Sequence, residues 1–123
     1  MKYLILIYHN QKAREAWEGS SEAHRTEGLR AHAALVEDLA GSGELVVSGA
    51  LSDPSQARRV LVGEGRTTIS DGPFAEVKEY LAGFYLVECE SADRAVEHAA
   101  RIPEAAFGLV EVRPVLVDTG PDM

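Results

Sequence analysis

The chain has 123 residues, 46% of them hydrophobic and 26% charged, which gives room for one domain and excludes a disordered protein. Twenty acidic against twelve basic residues give a net charge of −8, which repels phosphate backbones and argues against direct nucleic-acid binding. Because there is one cysteine, no signal-peptide pattern and no apolar run of roughly 18 residues, we expect a cytoplasmic protein without disulfides or membrane contact.

The first half of the chain is predicted to fold as strand, helix and strand. Residues 2–8 are rich in β-formers and apolar at both alternating sets of positions, which indicates a strand covered on both faces. Residues 10–19 are predicted to be a loop or a short helix. A helix capped by Ser20 or Ser21 is expected to reach about residue 40, and residues 44–51 follow as a second strand. The helix has an apolar stripe formed by Leu29, His32, Val36 and Leu39.

A hairpin and a central strand are predicted next. Residues 58–63 and 66–70 are expected to pair around the turn at Glu64–Gly65, because short β-rich runs flank a turn dipeptide. Residues 83–90 alternate apolar side chains on both faces, so they are predicted to lie in the middle of a sheet.

The chain is predicted to end with a helix and a strand. Ser91 caps a helix over residues 91–102 that Pro103 closes. Its apolar face is formed by Ala95, Val96, Ala99 and Ile102. Residues 108–118 alternate as a last strand, and residues 119–123 are expected to fray.

These elements predict an α+β fold: two helices on one face of an antiparallel sheet, in the split βαβ or ferredoxin-like arrangement with an extra hairpin. Two helices cover only one sheet face, whereas residues 2–8 and 83–90 are apolar on both. A second copy of the chain is expected to cover the other face, which predicts a homodimer with its sheets face to face. Residues 1–118 are predicted to form a single domain.

His32 is the first candidate for chemistry, because it stands in the helical stripe where an aliphatic side chain would pack better. Two interpretations are open: a structural histidine bonded to a backbone carbonyl, or a general acid or base. His24 lies eight residues earlier, about 12 Å along the helix, and the sequence has no HxxxH spacing, so no metal site is predicted. His98 is predicted to be solvated, and His9 could approach the first helix.

The segment DGPFAEVKE, from Asp71 to Glu79, is the second candidate. Gly72 permits a positive φ and Pro73 fixes the next one, so the backbone takes one stiff path that Phe74 would anchor in the core. Its remaining charged side chains are Glu76, Lys78 and Glu79. The segment is either a solvated turn with local ion pairs or a loop that holds Asp71 still for acid–base chemistry.

The strings DGPFAEVKE, GFYLVE and VEVRPV resemble the DGPF branch of the YCII-related protein family over nearly the whole chain. The resemblance implies a ferredoxin-like domain that dimerises as an α/β barrel. It also implies a histidine on the first helix and an aspartate as signs of enzymatic activity, and related domains occur fused to sigma factors. His32 stands at the matching place. Where the family often has Asp-Pro after its second helix, this chain has Ile102–Pro103, so Asp71 is the replacement candidate.

Two functions follow as hypotheses. In the first, the protein is a small-molecule enzyme without an organic cofactor. His32 is then the acid or base, Asp71 orients it, and the substrate contacts are Lys78, Arg113, Tyr8 and Tyr85. In the second, the same dimer cleft binds a ligand without turnover, as a regulatory module linked to transcription through a protein partner. A purely structural dimerisation domain would leave His32 without a role.

Overall fold

The computed structural model describes residues 1–72 and 78–116. Within them the strands are β1 (Lys2–Asn10), β2 (Leu45–Ala50), β3 (Arg58–Gly63), β4 (Arg66–Asp71), β5 (Glu79–Glu88) and β6 (Val110–Pro114). The α-helices are α1 (Gln11–Glu18), α2 (Glu22–Ser42) and α3 (Ala92–Ala99), with 3₁₀ segments at Pro54–Gln56 and Pro103–Phe107. None of these helices is long and apolar enough to cross a membrane.

The main sheet has the strand order β2-β5-β1-β6, and each of its neighbouring pairs is antiparallel. The central strand β1 places Ile5 opposite Tyr85 of β5 and Val112 of β6, so these three side chains share one face. Strands β3 and β4 form a separate two-stranded sheet. The predicted α+β class with an antiparallel sheet is confirmed.

The core lies between this sheet face and the helices. Ile5 and Val87 of the sheet and Leu35 and Leu39 of α2 are all 0% exposed. The inward side chains of β1 and β5 alternate with half-buried ones, as expected for strands with one face in the core. Burying such aliphatic side chains is the main source of stability for a domain of this size.

The buried line of α2 differs from the predicted stripe. It runs through Gly28, His32, Leu35 and Leu39, and it leaves Leu29 64% exposed. The reason is the contact with α1: a Cβ atom on Gly28 would lie 3.0 Å from the Trp17 ring, so the helix presents Gly28 rather than Leu29 at that turn.

The described residues form three α-helices where two were predicted, because residues 10–19 take the helical alternative. Asn10 caps α1 by accepting a hydrogen bond from the Ala13 amide. The longer helix α2 begins after its cap at Ser21 and ends at Gly43, whose φ of 79° is the left-handed conformation that glycine adopts without strain. Those two ends match the sequence prediction.

The strands β5 and β6 have other first and last residues than the sequence predicted. β5 begins at Glu79 rather than at residue 83, because Glu79 and Tyr80 pair with the last residues of β1. β6 spans Val110–Pro114 within the predicted 108–118, of which residues 117 and 118 lie outside the described part of the chain. The tail at 119–123 lies outside the described residues.

The β3–β4 hairpin is confirmed, with φ of 52° at Glu64 and 72° at Gly65 giving the turn that tight hairpins favour. At its other end Gly72 has the expected positive φ of 82°. The DGPF residues that follow, Pro73 and Phe74, and then Glu76, lie outside the described residues.

A buried polar cluster joins α3 to the start of β2. His98 was predicted to be solvated, and this was wrong: it is 5% exposed and its Nε2 lies 3.1 Å from Glu44 Oε2. Arg94 donates to the same carboxylate at 3.0 and 3.2 Å. Because His98 takes an inward position on α3, the predicted apolar residue Val96 is turned outward and is 53% exposed.

Candidate functional site

His32 lies where α2 faces β5 and the 3₁₀ segment after α3. Its Nδ1 is 2.9 Å from the Tyr85 hydroxyl, and its Nε2 is 2.8 Å from Glu104 Oε1. The imidazole and phenol rings lie within 5° of parallel. Three different elements therefore hold one hydrogen-bonded chain of tyrosine, histidine and glutamate, and both ring nitrogens of His32 have a partner.

Glu104 is placed by the turn that closes α3. Pro103 begins the 3₁₀ segment, a position at which a missing amide hydrogen costs nothing, and the 2%-exposed side chain of Ile102 anchors the turn in the core. The second carboxylate oxygen of Glu104 lies 3.5 Å from His9 Nε2, so this one carboxylate faces two histidines. The Glu104 side chain is 17% exposed.

The charges of the site follow from these contacts. Burial acts to raise the pKa of Glu104, but the interactions with His32 and His9 outweigh it and lower the pKa to about 2. Burial and the negative charge of Glu104 raise the pKa of Tyr85 above its ordinary value. At neutral pH the site thus holds an ionised carboxylate and a protonated phenol.

This charge distribution fixes the tautomer of the neutral His32 ring. An ionised carboxylate only accepts hydrogen bonds, so Nε2 carries the hydrogen and donates it to Glu104. Nδ1 is then the acceptor for the Tyr85 hydroxyl. Proteins orient a histidine for proton transfer by placing a carboxylate at one ring nitrogen and a hydroxyl at the other.

The predicted partner Asp71 is not in this chain of hydrogen bonds. It lies at the end of β4, paired across the hairpin with Arg58, and it is exposed. The two nitrogens of His32 are occupied by Tyr85 and Glu104, so the structure brings together His32 and Tyr85 of the predicted set and adds a different acid. A role for Asp71 stays a prediction.

The other predicted contacts lie elsewhere. Tyr8 is on the opposite face of the sheet, where its hydroxyl donates to Glu111 at 3.3 Å. Arg113 is exposed, and its register opposite Leu4 places it on that same face. The exposed side chain of Lys78 precedes β5. Their suggested roles in substrate binding stay predictions.

Two site residues were not assigned from the sequence. Glu104 follows Pro103 directly after α3, close to the place where the family resemblance puts an acid before a proline. The sequence signal for Glu104 was therefore an acidic residue directly after the proline, whereas the family has an acidic residue directly before it. For His9 the sequence indicated an approach to a helix, and the structure places it against Glu104 instead.

A cavity of about 310 Å³ adjoins His9 between α1, the segment after β2, and the first residues of β5. Trp17 and Tyr80 form aromatic walls, and the His9 and Tyr80 rings lie 6.2 Å apart. Among the described residues no group of three or more potential ligands is arranged to hold a metal ion. The functional groups that the described residues bring together at the site are imidazole, phenol and carboxylate.

Comparison with known proteins gives three findings. The YCII-related domain matches residues 1–117. An uncharacterised protein of Rhizobium meliloti (strain 1021) is 34% identical over 117 residues, 94% of this chain and 92% of the relative. Among solved structures, the 5-chloro-2-hydroxyhydroquinone dehydrochlorinase TftG of Burkholderia phenoliruptrix AC1100, in complex with 2,5-dihydroxybenzoquinone, is similar with a TM-score of 0.51 and 20% identity, covering 94% of this chain and 93% of that one.

Proposed function

Since the chain belongs to the YCII-related domain family, we propose that it is a small-molecule enzyme in which His32 and Glu104 act as the acid–base pair. The observation that carries this proposal is the position of His32, held at 2.8 Å by an ionised glutamate and at 2.9 Å by the Tyr85 hydroxyl. Tyr85 is 4% exposed and the Glu104 side chain 17%, so these two partners orient His32 at the edge of the core, where its own side chain keeps 28% exposure.

A substrate would reach the pair at His32. The His32 side chain is 28% exposed, but its Nδ1 is occupied by the hydroxyl of the 4%-exposed Tyr85, so a substrate has to displace that hydroxyl to reach this nitrogen. A substrate hydroxyl or acidic C–H that replaces Tyr85 as the partner of Nδ1 would transfer its proton to that nitrogen. The imidazolium formed in this step lies against the Glu104 carboxylate, which stabilises its positive charge.

Small planar compounds with oxygen substituents are the first probes for this activity. The structurally similar TftG is a dehydrochlorinase of a chlorinated hydroxyhydroquinone and was solved with 2,5-dihydroxybenzoquinone. At 20% identity the likeness extends to the fold, so these compounds serve as probes. The test incubates wild-type protein and a His32→Ala variant with such a panel and follows each compound by mass spectrometry. Consumption by wild type that the variant lacks supports the proposal. Binding without consumption supports the regulatory module instead.

A second copy of the chain is proposed to cover the open face of the sheet, as in the dimeric α/β barrel that the DGPF resemblance implies. On this face Val47 is 46% exposed and Leu81 is 38% exposed, and between them lie half-buried apolar side chains of β1 and β5. The hairpin adds three apolar side chains on one of its faces, each at least 57% exposed: Val60, Val62 and Ile69. Exposed apolar side chains on the open sheet face and on one face of the hairpin are typical of an interface.

Replacing Val47 with lysine should dissociate this dimer, because a charge would be buried between the two sheets. Light scattering after gel filtration is expected to give twice the 13.3 kDa chain mass for wild type and a single chain mass for the variant at micromolar concentration. Val96→Lys is the matched control, since Val96 is 53% exposed on α3 and away from the open face. A monomeric wild-type protein would contradict the proposed assembly.

A further inference from the structure

The cavity beside His9 has the size and walls of a binding site for a single-ring molecule. Its volume of about 310 Å³ lies at the lower end of the range of small-molecule pockets. Trp17 and Tyr80 supply two aromatic surfaces, which favour offset stacking with another flat ring. Trp17 itself is fixed, because its ring packs on Gly28 of α2.

The charges of the cavity do not favour an anionic ligand. Among the described residues that line the cavity the cationic side chain is Arg14, which is 2.6 Å from Asp53 Oδ1 and 3.4 Å from Glu18 Oε1, so two carboxylates already compensate it. Hydrogen bonds from Ser55 and from Arg14 lower the pKa of Asp53 to about 2, which keeps this pair ionised at neutral pH. An anion entering the cavity would therefore meet an excess of negative charge.

His9 gives the cavity a hydrogen-bond acceptor. Its Nε2 is turned to Glu104 at 3.5 Å, and its side chain is 27% exposed. Over the described residues no hydrogen bond is made to its Nδ1. With the Nε2 hydrogen directed to the carboxylate, Nδ1 of the neutral ring is an acceptor for a ligand hydroxyl.

We propose that this cavity binds a neutral hydroxylated aromatic ring, which stacks on Trp17 and Tyr80 and donates its hydroxyl hydrogen to His9 Nδ1. The inference deepens the proposed function by naming a ligand class for the cavity, and it rests on that function for the role of Glu104, the carboxylate that His9 shares with His32. If the phenolic proton moves, it passes to Nδ1 and leaves a phenolate beside an imidazolium. The Glu104 carboxylate then stabilises this imidazolium, as it stabilises the imidazolium that the proposed reaction forms on His32.

Two ligands with the same ring and different charges test this inference: phenol and benzoate. Trp17 is the single tryptophan of the chain, so the shift of its indole N–H signal in ¹H–¹⁵N spectra reports this cavity alone. In wild-type protein at neutral pH, phenol is expected to bind about tenfold more tightly than benzoate, the difference that one retained hydrogen bond makes. His9→Phe keeps a flat ring without an acceptor, and it should weaken phenol binding by about the same factor.

His24→Phe is the matched control, because His24 is exposed on α2, and phenol should bind to it as to wild type. Tighter binding of benzoate than of phenol, no indole shift with phenol, or unchanged phenol binding in His9→Phe would each overturn the inference. The ligand ranking in wild type decides the question even if the His9 variant fails to fold. The NMR titration measures binding without turnover. A negative turnover assay of His32→Ala therefore leaves the binding result valid, and a negative binding result leaves the conclusion about His32 valid.

Discussion

Replacing His32 with alanine is expected to reduce turnover of the substrate by about 10²- to 10⁴-fold, the usual contribution of a general acid or base. The fold should survive, because His32 is only partly buried and the core beside it is made by Leu35 and Leu39, each 0% exposed. The measurement is kcat for wild type and variant on a compound found in the screen, together with their melting temperatures.

Glu104→Gln is expected to cause a loss of similar size in the same assay. The amide keeps the shape of the carboxylate but can donate a hydrogen bond to Nε2, which favours the wrong tautomer of His32 and removes the stabilising negative charge. In serine proteases the equivalent change from carboxylate to amide costs about 10⁴ in kcat.

The double variant separates a working pair from two independent residues. If His32 and Glu104 act together, combining His32→Ala with Glu104→Gln should cost little more than either change alone. His24→Ala and Glu27→Gln are the controls: both residues are exposed on α2, and neither change should affect kcat. Additive losses in the double variant, or full activity of Glu104→Gln, would contradict the assignment of the pair.

The largest expected effect on stability outside the site comes from Glu44→Gln. Glu44 accepts hydrogen bonds from Arg94, from the buried His98 and from Ser42, and it joins the end of α2 to α3. Losing the charge in this network should lower the free energy of unfolding at pH 7 by about 2 kcal/mol, as is typical for hydrogen bonds to a charged group. Urea unfolding measures the change.

This loss should depend on pH in a defined direction. The hydrogen bonds from Arg94, against the opposing effect of burial and with help from His98 and Ser42, lower the pKa of Glu44 from 4.5 to about 2. The folded pKa is below the unfolded one, so the stabilisation is present above about pH 4.5 and is lost as the pH falls towards 2. The difference in the free energy of unfolding between wild type and Glu44→Gln should therefore decrease as the pH falls from 5 to about 2.

Asp38→Asn is the control for this prediction. Asp38 pairs with Arg101 at 2.7 Å, but its side chain is 63% exposed, and exposed ion pairs contribute about 0–1 kcal/mol. Two results would show that the Glu44 network does not stabilise the fold. One is a loss of unfolding free energy in Glu44→Gln that is no larger than the loss in Asp38→Asn. The other is a difference in unfolding free energy between wild type and Glu44→Gln that stays constant from pH 7 to about pH 2.

The strands and the long helix could be predicted because their signals are local. Alternation within residues 2–8 and 83–90, a serine cap and a glycine end each depend on a few neighbouring residues. The hairpin at Glu64–Gly65 was predictable for the same reason. The exposure of Leu29 was not predictable, because the packing of Trp17 from helix α1 on Gly28 decides which side of α2 faces the core.

The site was only half predictable from the sequence. His32 could be identified, because a histidine in an apolar stripe is locally out of place. Its acid was not identified, because Glu104 is 72 residues away and its one sequence signal is a place directly after Pro103, where the family resemblance puts an acid before the proline. The burial of His98 has the same cause: its partner Glu44 lies 54 residues earlier, and only the packed fold makes the buried histidine favourable.

The most direct test of the account is the ¹⁵N NMR spectrum of the His32 ring, recorded at a pH at which the ring is neutral. We expect the hydrogen on Nε2, directed to Glu104, and an unprotonated Nδ1 that accepts the Tyr85 hydroxyl. Glu104→Gln should shift the ring towards the Nδ1–H tautomer. A wild-type His32 with its hydrogen on Nδ1, unaffected by the Glu104 substitution, would show that the carboxylate does not orient this histidine and would contradict the proposed acid–base pair.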